Sequence, residues 1–261
     1  FGFIGESEET LKEFLDCSRK QEDIDKVKGL LVRKNGRVIY TGFRQPISDM
    51  DSIPFPAWDL LPDIRRYYRP ALTNYKRMPV TSLVTSRGCS GQCIFCDTSV
   101  FGHRLRAYSS GYVMKELEYL NKEYSIREVC FYDDTFVAFK SRLFELCRSI
   151  IDRKLDISWS CNARVDLVDY EMLKLMKSAG CWQISYGIES GSQRILDIIK
   201  KGIDIPQIKN AVKWTKQVGI SARGFFMIGN PGETKQDIEM TRRLMLGLAL
   251  DDMLLEYFTP Y

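Results

Sequence analysis

Residues 80–96 read Val80-Thr81-Ser82-Leu83-Val84-Thr85-Ser86-Arg87-Gly88-Cys89-Ser90-Gly91-Gln92-Cys93-Ile94-Phe95-Cys96. A short β-branched run feeds directly into a loop with three cysteines spaced C-x3-C-x2-C. From Val80 onward the pattern repeats: short β-branched runs alternate with amphipathic helical segments, the signature of βα units around a parallel sheet. The periodicity predicts strands over 81–86, 128–132, 157–162, 183–187, 221–228 and 253–258. Helices are predicted near 109–124, 140–153, 169–178, 190–200, 206–217 and 234–248. In the second of these, Leu143, Leu146, Cys147 and Ile150 fall at i, i+3, i+4 and i+7, a core stripe. Six such units predict an α/β fold, a partial (β/α)6 TIM-like barrel with its chemistry at the C-terminal ends of the strands. An open doubly wound sheet would give the same periodicity, so the pattern alone does not choose between the two.

Composition bounds the rest. Hydrophobic residues make up 44% of the 261 positions, enough to drive a packed core, which excludes disorder as the main state. The 38 Lys+Arg against 34 Asp+Glu leave a formal charge of +4, too weak to argue for nucleic acid or an acidic membrane. No apolar run approaches the ~18–20 residues that span a bilayer; the run from Leu244 to Leu250 stops at Asp251 and Asp252. There is no basic n-region and no small-residue cleavage site for secretion. Eight cysteines without an export signal indicate a reducing, cytoplasmic setting and thiol chemistry rather than disulfides.

Ahead of the βα repeat, residues 1–16 read as the end of a buried strand, a glycine turn and an acidic helix start from Gly5. Lys28 to Tyr40 reads as a β-hairpin turning at Lys34-Asn35-Gly36. Residues 41–79 hold six of the nine prolines and read as a linker, pinned to a neighbour by Trp58, Tyr67 and Tyr68. The chain opens on Phe1 and stops just after another strand-like run, so it reads as a fragment cut inside a domain at each end.

Cys89, Cys93 and Cys96 can converge on one inorganic centre. A tetrahedral zinc site needs a fourth ligand, for which His103, the only histidine, and Asp97 are the nearby choices. A [4Fe–4S] cluster is the other solution, with three irons on cysteine and one left open. Gly88 and Gly91 let the loop bend around a bulky group and point N–H groups at its sulfurs. Three unrelated buried cysteines are the remaining reading.

This spacing, with an aromatic residue before the last cysteine and at the end of a first βα strand, resembles the radical S-adenosylmethionine superfamily over residues 80–261. The resemblance implies that the open iron chelates the amino and carboxylate groups of S-adenosylmethionine. Reductive cleavage would then give a 5′-deoxyadenosyl radical, with electrons from an external donor of flavodoxin or ferredoxin type. Phe95 matches the position that lies against the adenine. Asp133 and Asp134, in Tyr132-Asp133-Asp134-Thr135-Phe136, stand where many members carry Gly-Gly-Glu, the segment that receives the cofactor's amino group. Read by themselves, the two are either an exposed turn or the rim of a polar cavity.

Strand alternation puts Ser160, Asn162 and Arg164 on one face and Trp159, Cys161 and Ala163 on the other. The polar face reads as the barrel interior, with Arg164 gripping a carboxylate bidentately; a surface salt bridge is the plainer reading. Gly187-Ile188-Glu189-Ser190-Gly191-Ser192 matches the ribose-binding region, and the Glu189 carboxylate can accept two bonds from a diol. Capping of a helix by Ser190 or Ser192 explains the same residues. Ile228 and Gly229, in Phe226-Met227-Ile228-Gly229-Asn230-Pro231-Gly232-Glu233-Thr234, resemble the adenine-contacting strand and turn; a Pro-Gly turn starting a helix is the alternative.

The segment before the barrel, with the hairpin and Ile53-Pro54-Phe55-Pro56-Ala57-Trp58-Asp59-Leu60-Leu61, is similar to the junction in cobalamin-binding members. That implies three parts: residues 1–20 as the remnant of a Rossmann-like cobalamin-binding domain, 21–79 as hairpin and linker, and 80–261 as the barrel. Cobalamin would then be bound by the full-length protein, and the reaction would be methyl transfer or ring-forming oxidation of an unknown substrate. A methylthiotransferase-like enzyme is the second reading, although only Cys17 lies upstream where such enzymes carry a cysteine triad. A zinc-stabilised binding module is the third.

Overall fold

The computed structural model describes residues 1–259. The first elements are a short strand β1 (Gly2–Phe3), helix α1 (Glu8–Lys20) and the hairpin strands β2 (Leu30–Lys34) and β3 (Arg37–Tyr40). The hairpin turns at Asn35 and Gly36, both at positive φ (49° and 75°), the geometry an Asn-Gly pair favours. β1 pairs antiparallel with β2, so the opening strand and the hairpin form one three-stranded sheet, order β1-β2-β3. The opening strand is not buried as expected: Phe1, Phe3 and Ile4 are exposed, and the small core here is Val27, Leu30 and Val32 with Phe14 against it.

The linker, which carries the short α-helix α2 (Ile64–Tyr67) and three 3-10 turns, is anchored by fewer aromatics than expected. Trp58 is buried, with Nε1 donating to Glu116 Oε1 at 3.2 Å. Tyr67 and Tyr68 are exposed; Ile64 is the buried residue of that helix. The end of the linker closes the bottom of the barrel. The buried Glu128 carboxylate accepts the backbone N–H groups of Lys76 (3.0 Å) and Arg77 (2.8 Å), and also Ser158 Oγ and Trp182 Nε1.

The βα repeat then runs through β4 (Val80–Leu83), a two-residue pair β5 (Ser86–Arg87) and β6 (Arg106–Ala107), and α3 (Ser110–Tyr124). It continues with β7 (Glu128–Phe131), α4 (Lys140–Asp152), β8 (Ser158–Ala163), α5 (Tyr170–Ser178) and β9 (Cys181–Glu189). Helices α6 (Gln193–Ile198) and α7 (Ile205–Gln217), strand β10 (Ser221–Ile228), α8 (Lys235–Gly247) and β11 (Asp252–Tyr257) complete it. The sheet order is β4-β7-β8-β9-β10-β11, with every pairing parallel. A doubly wound sheet reverses direction at a switch point; this order never reverses, which makes it a partial barrel.

Trp159, Cys161 and Ala163 join the core under the helices, as strand alternation predicts. The predicted strand 81–86 ends early, because Ser86 and Arg87 leave the barrel and pair with Ala107 and Arg106. That small ribbon is the stem of the cysteine loop.

Candidate active site at the cysteine loop

The loop begins at Gly88, where φ is +84° and a Cβ would stand 2.4 Å from the Arg104 carbonyl oxygen. Only glycine fits where the two arms of the loop cross so closely. Cys89, Cys93 and Cys96 follow, and all three line one cavity of about 490 Å³ above the C-terminal ends of the strands. A Cβ on Gly91 would lie 3.3 Å from Cys89 Sγ, 3.7 Å from Cys93 Sγ and 3.4 Å from Arg164 Nη1, so the bare glycine leaves that space open between two sulfurs and a cation. The Gly91 N–H points at Cys89 Sγ at 3.4 Å.

Electrostatics separates the thiols. A hydrogen bond from Cys96 draws the Cys93 thiol down to about 6 against the pull of burial, with Lys201 and Arg164 adding positive charge. That same bond and burial push the Cys96 thiol up. Loop residues and strand ends from across the barrel form the other walls: Phe95, Phe101, Asp134, Thr135, Asn162, Arg164, Ser185, Glu189, Lys201 and Phe225 all line the cavity.

The two neighbouring aspartates part company. Asp133 is fully buried; its carboxylate accepts Thr85 N–H (3.1 Å), Thr85 Oγ1 (2.9 Å) and Ser86 Oγ, tying β4 to β7. Burial pushes its carboxyl up, opposed by those bonds and by the charge of Arg142. Asp134 lines the cavity and is also raised by burial. Of the pair, only Asp134 is among the residues that wall the cavity.

Arg164 grips Asp166 bidentately (3.0 and 3.1 Å) and donates to the Lys201 carbonyl at 2.9 Å, while its far nitrogen faces Gly91. Glu189 sits at φ +69°, beyond a register shift where Gly187 pairs with Phe225 and Glu189 with Phe226. Such a bulge re-aims a side chain, and a non-glycine residue in the left-handed region stores strain of the kind found at functional sites. The Glu189 carboxylate meets Lys201 Nζ at 2.7 Å, and that ammonium also lies 5.7 Å from the centroid of the Phe95 ring.

Of the capping alternatives, Ser192 occupies the first flank of α6 but gives its hydroxyl to Asp237 at 2.6 Å, and Ser190 accepts Ser192 N–H at 3.1 Å. These bonds hold residues 190–192 in a turn, so α6 starts later than the predicted residue 190. Ile228 ends β10 and Gly229 follows it, both outside the cavity wall. Gly229, at φ +82°, donates its N–H to Glu233 in the turn that follows, and Phe225 is the β10 residue that reaches the cavity.

The fourth ligands a zinc site would need are engaged elsewhere. His103 Nδ1 is 3.0 Å from the Gly91 carbonyl and Nε2 is 3.4 Å from Thr98 Oγ1. The Asp97 carboxylate accepts both the N–H and the hydroxyl of Ser99. Lys201 is the functional candidate that pattern reading missed. It follows Lys200 in an ordinary charged run, and only the fold tells the exposed lysine from the buried one.

Comparison with known proteins places the chain in a family. The family model described as the Radical SAM superfamily matches residues 83–245. An uncharacterized methyltransferase of Pyrococcus horikoshii is 39% identical over 260 residues, covering 98% of this chain and 55% of that protein. The anaerobic magnesium-protoporphyrin IX monomethyl ester cyclase of Rubrivivax gelatinosus is 28% identical over 263 residues, covering 98% and 46% respectively. Among solved structures, the cobalamin-dependent S-adenosylmethionine radical enzyme OxsB superposes with a TM-score of 0.79 at 22% identity, over 92% of this chain and 35% of that one, which is a similarity of fold. The chain spans about half the length of the curated relatives it matches.

Proposed function

The chain belongs to the radical SAM superfamily, and from that premise we propose that it forms the barrel of an enzyme that holds a [4Fe–4S] cluster on Cys89, Cys93 and Cys96. The observation that carries this reading is a single cavity walled by three loop thiols, two cations and the Glu189 carboxylate. The donor set fits the group: three sulfurs on one glycine-bent loop, with Arg164 and Lys201 to offset the negative charge of thiolates. Held there, the cluster would supply the electron for reductive cleavage of S-adenosylmethionine, drawn from a flavodoxin- or ferredoxin-type donor.

The chain's own residues position the reactants. Glu189 offers acceptor oxygens to a ribose diol, aimed by its bond to Lys201. Phe95 presents a ring face to the adenine, and Asp134 offers a carboxylate to the cofactor's ammonium group. Asp133 fixes the strand end from which Asp134 projects. Phe101 and Phe225 exclude water from the reacting centre. Ile228 and Gly229, which lie outside the cavity wall, would reach an adenine only at its outer edge, beyond Phe225.

For the whole protein we favour methyl transfer with cobalamin over ring-forming oxidation. The relative of highest identity described above carries the name of a methyltransferase, while the other is named a cyclase. The three-part organisation, with residues 1–20 as the end of a cobalamin-binding domain, belongs to this proposal. The test is turnover without substrate. Anaerobically reconstituted protein given dithionite and S-adenosylmethionine should release 5′-deoxyadenosine and methionine in equal amounts, and the Cys93→Ala variant should release neither. Release from that variant, or none from the reconstituted wild type, would contradict the assignment.

A further inference from the structure

Glu6 lies on the turn between β1 and α1, yet its side chain is only 3% exposed. Its carboxylate takes both terminal nitrogens of Arg106, Nη1 at 2.9 Å, together with the N–H of Ile47 at 2.9 Å. Arg106 Nη1 also donates to the Ile47 carbonyl at 2.7 Å. Arg87 Nη1 stands 3.4 Å from the same Glu6 oxygen, and its other terminal nitrogen is bonded to Glu8. Arg87 and Arg106 are register partners in the β5–β6 ribbon. One is the residue before Gly88 and the other closes the loop, so Glu6 holds both stems of the segment that carries the three cysteines.

The contacts continue into the cavity. The Arg87 guanidinium lies 5.4 Å from the centroid of the Phe101 ring, and Arg106 Nη2 donates to the Phe101 carbonyl at 3.4 Å. Phe101 is itself a wall of the cysteine cavity. A buried carboxylate hydrogen-bonded by one arginine and a backbone amide, with a second guanidinium in ion-pair range, is a fixed brace, since removing its charge strands the buried Arg106 guanidinium and the Ile47 N–H.

We propose that Glu6 is a positioning residue for the cysteine loop: by bracing Arg87 and Arg106, it lets the segment ahead of the barrel set the geometry in which the three thiols are presented. The brace is independent of what the thiols bind; its consequence for a cluster rests on the functional reading above.

Amide hydrogen exchange on the protein without added iron tests the brace directly. Glu6→Gln should speed exchange across residues 88–105 about tenfold, the effect of weakening a charge-assisted hydrogen bond, while strands β8 and β10 keep wild-type rates. Glu6→Asp, which keeps the charge at shorter reach, should fall between. Glu9→Gln, on the exposed side of α1 near Arg44, should change nothing. After anaerobic reconstitution, Glu6→Gln should also lose iron to a chelator about tenfold faster than wild type. Unchanged loop exchange would overturn the proposal, and so would faster exchange throughout the barrel. A wild type that takes up no iron, while Glu6→Gln still loosens the loop, would defeat the cluster reading and leave the brace standing.

Discussion

Glu189 and Lys201 face each other at 2.7 Å across Gly187, where a Cβ would stand 2.6 Å from the carboxylate and 2.7 Å from the ammonium. The pair occupies the space that a side chain at 187 would fill. Alanine there would push aside the far ends of two flexible side chains rather than backbone. The fold should therefore survive Gly187→Ala, and the consequence should fall on ligand binding. S-adenosylmethionine affinity of the reconstituted protein, measured by equilibrium dialysis, should drop about tenfold, and Glu189→Gln should cost about 1–3 kcal/mol. Affinity unchanged in both would return the pair to a structural role.

The aspartates should separate in the same way. Asp133→Asn disturbs a buried acceptor of three bonds and should cost about 2–3 kcal/mol in urea unfolding, with little direct effect on ligand affinity. Asp134→Asn should leave the unfolding midpoint in place and weaken S-adenosylmethionine binding. The reverse pattern would exchange their roles.

Iron content discriminates among the cysteines. Alanine at Cys89, Cys93 or Cys96 should abolish a reconstituted cluster. Cys147→Ala should leave it intact, because Cys147 lies fully buried on α4 beneath the sheet. Equal losses from all four would remove the loop from the account.

Acid should release the Glu6 brace. Burial raises the Glu6 carboxyl, but the hydrogen bonds from Arg106 and Ile47 and the charges of Arg106 and Arg87 outweigh it, leaving the group below its ordinary 4.5. The unfolded chain therefore binds this proton more tightly than the folded one. The stabilisation is complete above about pH 5 and drains away as pH falls through 4.5 toward the lower folded value. The Tm gap between wild type and Glu6→Gln should be full near neutral pH and close as pH falls below 4.5 through the lower folded value. A gap independent of pH would take the charge of Glu6 out of the argument.

The barrel was legible because short β-branched runs alternate with helices that carry regular stripes: β10 occupies the predicted 221–228, and most other boundaries move by one or two residues. Barrel and doubly wound sheet were not separable, since strand order depends on which units pack together and no single unit records it. The cysteine spacing pointed to the site, but the roles of Asp133 and Asp134 depended on which strand end each one met. Lys201 was hidden because its burial comes from the loop after α6 folding back over Gly187, a contact 14 positions away in the chain. Tyr67 and Tyr68 misled for a related reason: aromatic residues in a linker promise anchorage, but Trp58 and Ile64 provide it. The Glu6 brace joins residues 100 positions apart, and nothing local announces it.

The most direct test of the central claim is electron paramagnetic resonance of the anaerobically reconstituted, reduced protein with and without S-adenosylmethionine. The account predicts a [4Fe–4S]⁺ signal whose g-values shift when the cofactor is added, because the cofactor would bind the iron that the three cysteines leave open. A cluster signal indifferent to S-adenosylmethionine, or a protein that assembles no cluster at all, would contradict it.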